Sequence, residues 1–245
     1  MRPIERDVLL CLLAVSAGAA DGWSYFGLGH AFVANMTGNT VLLGMSVFQE
    51  HGDPLHPIIS LTCYAAGVMT GSLLMRNIDA ESSGRVWTPK ISQTLLLESL
   101  LLICAQTGWA IIHSRPGASF PVHDLLLGCV AFAIGLQSAA MLQLNIPGIV
   151  TTYLTGTWTT LINGLAGLKR KPPPGREREQ QKKFEERLLM QAVILTVYFL
   201  SAVLTGWLFR YLPVVVGVLP ALSVLLVAVY GFTRSQEAPG LSGSI

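Results

Sequence analysis

The sequence predicts an all-α integral membrane protein with about six transmembrane helices plus two broken or re-entrant segments, built as two inverted three-span repeats. Three observations predict it. Six apolar stretches are each long enough to cross a bilayer. The basic residues are spread very unevenly among the connections. The two halves share short motifs in the same order. Composition agrees: 51% of the 245 residues are hydrophobic and 12% are charged, about half the charged share of an ordinary soluble domain.

The six stretches run approximately from Val8 to Gly27, Ile58 to Met75, Ile91 to Ile112, Leu125 to Leu144, Leu188 to Phe209 and Pro213 to Phe232. About 20 residues of helix cross the hydrocarbon core. Helix is the default there, because lipid offers no partner for backbone N–H and C=O groups. Pro213 suits a first helical turn, whereas Pro220 falls inside the last span and is expected to kink it. Arg2 and Arg6 precede the first apolar run and Ala17-Gly18-Ala19 follows within it, which is the outline of a cleavable signal. The apolar character continues past Ala19 to Phe48, so a retained first span is the simpler reading.

Two further segments are apolar but interrupted. Phe32–Phe48 contains Asn35-Met36-Thr37-Gly38-Asn39-Thr40, and Val150–Leu168 contains Thr151-Thr152-Tyr153-Leu154-Thr155-Gly156-Thr157. Each is either a full span or a broken element that leaves on the side it entered. Basic residues favour the second choice. Eight of the sixteen Lys and Arg lie between Lys169 and Arg187. If both segments re-enter, only Arg115 and Arg210 fall outside. If both cross, four residues do: Arg76, Arg85, Lys90 and Arg210. The positive-inside rule then places both termini and the 169–187 loop in the cytoplasm. That loop reads as a topology anchor that grazes anionic headgroups, with Glu179 and Lys183 at helical spacing.

The halves resemble each other. Gly67-Val68-Met69-Thr70-Gly71 matches Ala202-Val203-Leu204-Thr205-Gly206 at an offset of 135. Met36-Thr37-Gly38 matches Leu154-Thr155-Gly156 at 118, and Gly18-x-x-Asp21 matches Gly135-x-x-Ser138 at 117. Three spans per half invert the second half relative to the first, a recurrent transporter design with broken helices near mid-membrane. The organisation expected is one membrane domain over 1–245. Its first repeat covers about 8–112, its second about 123–232, and a disordered tail covers 234–245.

Asp21 is the sharpest candidate for chemistry, because a carboxylate inside a span is costly and usually functional. It either binds a proton or cation or caps the next segment. Ala14, Gly18, Asp21 and Tyr25 share one helix face. With Asp21 we group Asn35, Thr37, Gly38 and Asn39 of the first break. The second half adds Gln137, Ser138, Thr155 and Gly156, as a candidate site for a small polar solute or ion. Glu98 shares the third span with Gln93 and Gln106; it is either a second proton or cation site or a structural acid near the inner interface, and the structural role is favoured. Gln137 and Ser138 bond either a solute or a neighbouring helix. Asn35-Met36-Thr37 is formally a glycosylation sequon, but it sits in an apolar run. Gly67 to Gly71 is a GxxxG packing motif, within the chain or between copies, so a homo-oligomer is admitted.

Other chemistries lack their signatures. The four cysteines lie singly in apolar runs, and His30, His51, His56, His113 and His123 form no HxxxH or HExxH pair. No GxSxG elbow, P-loop or dinucleotide fingerprint is present. The expectation is therefore no enzyme, no cofactor and no metal. With a net charge of +2 no nucleic-acid partner is expected either. The lipid bilayer is the expected partner, with the plasma membrane favoured.

The run from Phe32 through Asn35-Met36-Thr37-Gly38-Asn39-Thr40 to Gly44 resembles the N-terminal signature of the YoaK-type family. These are multi-pass membrane proteins catalogued as a domain of unknown function. Gly135-Leu136-Gln137, Thr151-Thr152 and Thr155-Gly156-Thr157 resemble the second signature. Asp21 followed by Trp23-Ser24-Tyr25-Phe26 fits as well, and the likeness covers Arg6 to Phe232. Ser138 stands where the family usually has Asn, and the basic insertion at 169–187 is longer than usual. The resemblance implies a fold class and no established substrate. A small-solute transporter or channel is the first functional expectation, and a membrane scaffold or accessory subunit the alternative.

Overall fold

The structure, a computed structural model, describes residues 3–48, 53–76, 87–114, 120–144, 154–167 and 177–236. Thr151, Thr152, Tyr153, Asn145 and the 169–176 part of the basic loop lie outside the described residues. Among those described the chain forms eight α-helices and one 3-10 turn, with no strand. In chain order they are α1 (Pro3–Gly27), α2 (Met36–Ser46), α3 (Leu55–Leu74), α4 (Pro89–His113), α5 (Phe120–Gln143), α6 (Leu154–Gly167), α7 (Glu177–Tyr211) and α8 (Val218–Gln236). The 3-10 turn, Pro213–Val215, precedes α8. Six helices, α1, α3, α4, α5, α7 and α8, are long and apolar enough to cross a membrane.

Side-chain contacts fix the direction of every spanning helix. Gly18 of α1 meets Tyr198 and Ser201 of α7, Gly22 meets Ala202 and Thr205, and Gly27 meets Phe209. Residue numbers rise together, so α1 and α7 are parallel. On α3 and α5, His56 Nε2 lies 3.2 Å from Asp124, Gly128 meets Cys63 and Gly71 meets Ala139, so this pair is parallel too. The pair α4 and α8 is antiparallel: Gly231 meets Ser92, and the N–H of Gly217 donates to Gln106 at 2.7 Å. The pair α4 and α5 is antiparallel as well, since Cys129 donates to the Leu101 carbonyl and Gly108 meets Leu126. Arg234 of α8 pairs with Glu5 of α1 at 3.0 Å while Gly217 meets Trp23, which makes α1 and α8 antiparallel.

It follows that α1, α4 and α7 run one way and α3, α5 and α8 the other. The first half reads up, down, up and the second down, up, down. Although α2 stands between α1 and α3, those two spans are opposed, so the segment carrying α2 leaves on the side it entered. The same holds for α6 between α5 and α7. This is the inverted, six-span arrangement. Helix packing repeats with it: α1 lies on α7 as α5 lies on α3, and α1 on α8 as α5 on α4, while α4 and α8 face each other.

Small residues make these crossings possible. Gly67 and Gly135 lie backbone to backbone, where a side chain on either would strike Phe132 or Tyr64 carbonyl oxygens. The GxxxG of α3 thus packs within the chain, against α5. The buried core is mostly Leu, Ala, Val and Trp from α1, α4, α5 and α8. Phe199, Leu200, Val203, Leu204 and Trp207 of α7 stay exposed as a lipid-facing surface.

Three boundaries differ from expectation. Helix α8 starts at Val218, so Pro220 sits in its first turn, where no N–H bond is needed, and does not kink the span. Helix α7 starts at Glu177 and has 35 residues, about 52 Å at 1.5 Å per residue. Its charged first turns extend the span beyond the bilayer, supported by Lys183 and Glu179 at 2.6 Å and Lys182 and Glu186 at 3.8 Å. Arg234, assigned from sequence to the tail at 234–245, belongs to α8 and holds Glu5.

Candidate functional site

The first break is built around one carboxylate. After Gly27 the chain reverses through Gly29 (φ 111°) and His30 (φ 57°), left-handed backbone that a non-glycine residue adopts at some cost. It then descends beside α1 until the N–H groups of Val33 and Ala34 reach Asp21 Oδ1, at 2.7 and 2.6 Å, with that of Asn35 at 3.4 Å. Asp21 Oδ2 accepts the hydroxyl of Tyr198 on α7. Asp21 lies six residues before the end of α1, about 9 Å back along the helix, and is 4% exposed. The break is thereby drawn below the helix end.

Asn39 fixes the other side of the loop. Its Nδ2 donates to the Phe32 carbonyl at 2.6 Å and to Ser60 Oγ at 3.0 Å, while its Oδ1 accepts the Phe32 N–H at 2.8 Å. Ser60 also donates to the Phe32 carbonyl. Asn35 caps α2 by accepting the Gly38 N–H at 3.1 Å. These side chains satisfy backbone groups that lipid would leave unpaired.

In the second half α6 begins at Leu154, which is Met36 shifted by the 118 residues of the motif match. The two helix starts meet. A cavity of about 210 Å³ is lined by Ala34, Asn35, Met36 and Thr37 from the first break, by Leu154, Thr155 and Gly156 from the second, and by Tyr64 and Tyr198. A larger apolar groove of about 450 Å³ runs between α1 and α7 and shares Asn35 and Tyr198 with it. A helix start carries the positive end of the helix dipole and N–H groups without intrahelical partners. Two such starts at one cavity make its polarity one-sided.

The tyrosines are repeat partners. Tyr198 donates to Asp21, and Tyr64 donates to Ser138 Oγ at 2.9 Å. Asp21 and Ser138 are 117 apart, and the tyrosines are 134 apart. The same offset relates Gly67, packed on Gly135, to Ser201, packed on Gly18. The spans α3 and α7 therefore correspond at 134, one residue from the 135 suggested by their shared Val-x-Thr-Gly letters. Shifted by 135, Tyr64 falls on Phe199, which faces outward with 64% exposure.

Of the residues grouped from sequence, Asn35, Thr37, Thr155 and Gly156 line the cavity. Asp21 and Ser138 stand behind it, each holding a tyrosine. Gly38 and Asn39 pack under the first break against Phe32. Gln137 turns to α1 and donates to the Leu13 carbonyl at 3.1 Å. Gln106 serves the start of α8, donating to the Val214 carbonyl at 2.5 Å and accepting from Gly217. Sequence reading missed Tyr64 and Tyr198, because the one-residue shift in offset hid their equivalence. Among the described residues no three His, Cys, Asp or Glu are grouped to hold a metal ion.

A family model described as "Protein of unknown function (DUF1275)" matches residues 9–230. The chain belongs to this family. Within DUF1275 it is similar to the UPF0700 transmembrane protein YoaK of Bacillus subtilis (strain 168), 32% identical over 163 residues, which are 66% of this chain and 68% of that protein. No solved structure matches. The match spans the cavity and all six long helices, and it agrees with a multi-pass integral membrane protein.

Proposed function

We propose that the protein is a transporter or channel for a small polar solute or ion, in the plasma membrane, with both termini and the 169–187 loop in the cytoplasm. The observation that carries this reading is the shared cavity at Thr37 and Thr155, where two helix starts from opposite sides of the bundle converge. Irregular backbone at membrane depth is tolerated where it is buried in protein or lines a polar cavity, and inverted repeats place substrate sites at such a midpoint. At about 210 Å³ the cavity is below the range of ~300–1,000 Å³ typical for drug-sized ligands, which suits an ion or a small metabolite. Helix starts favour electron-rich groups, so carboxylate- or phosphate-bearing solutes and simple anions come first in a screen. On this reading the residues around the cavity bind and release; they do no covalent chemistry, and the protein is not an enzyme.

The test is a thermal-shift screen of purified protein followed by flux into proteoliposomes. A ligand of the folded state raises the melting temperature. A stabilising solute should lose its effect in Thr37→Val and Thr155→Val and keep it in the lipid-facing control Leu200→Ala. Absence of any stabiliser and of flux, with one protein copurifying in fixed ratio, would favour the scaffold alternative. Sidedness is tested separately. Asp53→Cys should label from outside and Ser83→Cys from inside, and the reverse pattern would defeat the cytoplasmic assignment of the termini.

A further inference from the structure

Helix α4 buries a stripe at Ile91, Leu95, Glu98, Leu102, Ala105 and Trp109, alternating by four and three residues as a packed helix face does. Five members of the stripe are apolar. Glu98 occupies the place where the pattern asks for another Leu. It is 0% exposed, and neither carboxyl oxygen has a hydrogen-bond partner among the described residues. It lies nine residues past the start of α4, about 14 Å into the helix and well inside the hydrocarbon.

The surroundings supply no charge to match a carboxylate. Glu98 lies between two fixed contacts of α4 with α8, at Ser92 and Gln106. It is also one turn from Leu101, whose carbonyl accepts from Cys129 of α5. Along the apolar stretches packed on it the titratable groups are Cys129 on α5, Tyr230 on α8, and Cys63 and Tyr64 on α3, with Cys104 on α4 itself; Lys90, His113, His56, His123, Asp124 and Arg234 lie toward the helix ends, and α1 carries Glu5, Arg6, Asp7, Cys11, Asp21 and Tyr25. None of α3 between Pro57 and Leu74, α5 between Leu125 and Gln143, or α8 between Val218 and Thr233 carries Lys, Arg, His, Asp or Glu. On α1, the register set by Glu5 with Arg234 and Trp23 with Gly217 brings Ser16 opposite the same turn of α8 as Glu98. The Ser16 hydroxyl is also buried and without a partner among the described residues. An isolated carboxylate in such a medium costs far more than a neutral carboxylic acid.

We propose that Glu98 is a proton-binding site inside the α1–α4–α5–α8 bundle, neutral in this conformation and exchanging its proton with solvent when the bundle opens. Neutral, the side chain is a polar but uncharged filler of the α4 stripe. Ionised, it would need water or a cation beside it, which requires the helices to part. An intramembrane carboxyl of this kind suits a proton relay. The site rests on burial and on its neighbours, so it stands whether or not the central cavity binds a solute.

Infrared spectroscopy of the full-length protein in lipid nanodiscs at neutral pH reads the group directly. We expect a carboxylic-acid C=O band that shifts on labelling with ¹³C-carboxyl glutamate and disappears in Glu98→Gln. Should that variant fail to fold, the label assigns the band, because Glu5 is paired with Arg234 and Glu179, Glu185 and Glu186 are exposed, and Asp21 does not take the label. Transfer to D₂O should move the band within minutes, as each opening exchanges the proton. Absence of a glutamate acid band would show Glu98 ionised and overturn the proposal. A band unmoved after a day would show a sealed structural acid and overturn it equally. No solute is added, so failure of the transport reading leaves this result unaffected.

Discussion

The two crossings beside the breaks share a plan and differ in the group at their centre. In the first half Asp21 accepts two short backbone N–H bonds, a longer third and a tyrosine hydroxyl. At the equivalent position of the second half stands Ser138, which accepts the tyrosine hydroxyl and donates its own proton to the Ile134 carbonyl at 3.0 Å. Both contacts tie the first span of one repeat to the second span of the other, so the tyrosine is the common element. In the first half the carboxyl group also draws the break against α1. The crossing is therefore common to both halves, with a carboxyl group at its centre in the first and a hydroxyl in the second.

That contrast is open to direct measurement, in order of expected effect. Asp21→Ala removes an acceptor from the buried N–H groups of Val33 and Ala34 and the part-buried one of Asn35 and should cost about 3–5 kcal/mol of stability, whereas Ser138→Ala removes one hydroxyl and should cost about 1–2 kcal/mol. Thermal or denaturant unfolding of the purified variants reads both, and equal losses would erase the distinction between the halves. Gly18→Leu and Gly135→Leu should behave alike, each losing about 1–3 kcal/mol, because each side chain would strike the carbonyl of a partner tyrosine. A tolerated change in one half alone would break the symmetry of the crossing. Tyr198→Phe leaves Asp21 one donor short and should cost about 1–3 kcal/mol, against about 1 kcal/mol for Tyr64→Phe. Asp21→Asn keeps an oxygen for Val33 and Ala34 but cannot accept from Tyr198. Its loss should match that of Tyr198→Phe, and the double variant should add little.

Much of the architecture was legible because lipid imposes strict rules. Length of apolar run, position of arginine and parity of spans suffice to fix six crossings and an inversion. The two break positions were readable from Thr-Gly pairs that no simple span would concentrate. What the letters did not carry was register across the repeat. Val68-Met69-Thr70-Gly71 and Val203-Leu204-Thr205-Gly206 align by identity at 135, yet the helices correspond at 134, because packing is set by which face meets the neighbour. Tyr64 and Tyr198 were hidden by that single step. Asp21 was read as either a binding group or a cap. Its bonds to Val33 and Ala34 supply the capping role, through a chain reversal at Gly29 and His30 that periodicity does not announce. Pro220 was misread because the 3-10 turn at Pro213–Val215 delays the helix, placing the proline where it is harmless.

The convergence of the two breaks is the claim on which the rest depends, and cross-linking tests it most directly. With Cys11, Cys63, Cys104 and Cys129 replaced, Thr37→Cys and Thr155→Cys should join in membranes under a mild oxidant or a short thiol-specific linker. Thr37→Cys paired with Thr159→Cys, one turn farther along α6, should join poorly. Efficient and selective joining of the first pair is the result predicted. Failure of the first pair in a folded protein, or equal joining of both, would mean that the breaks do not meet at one cavity.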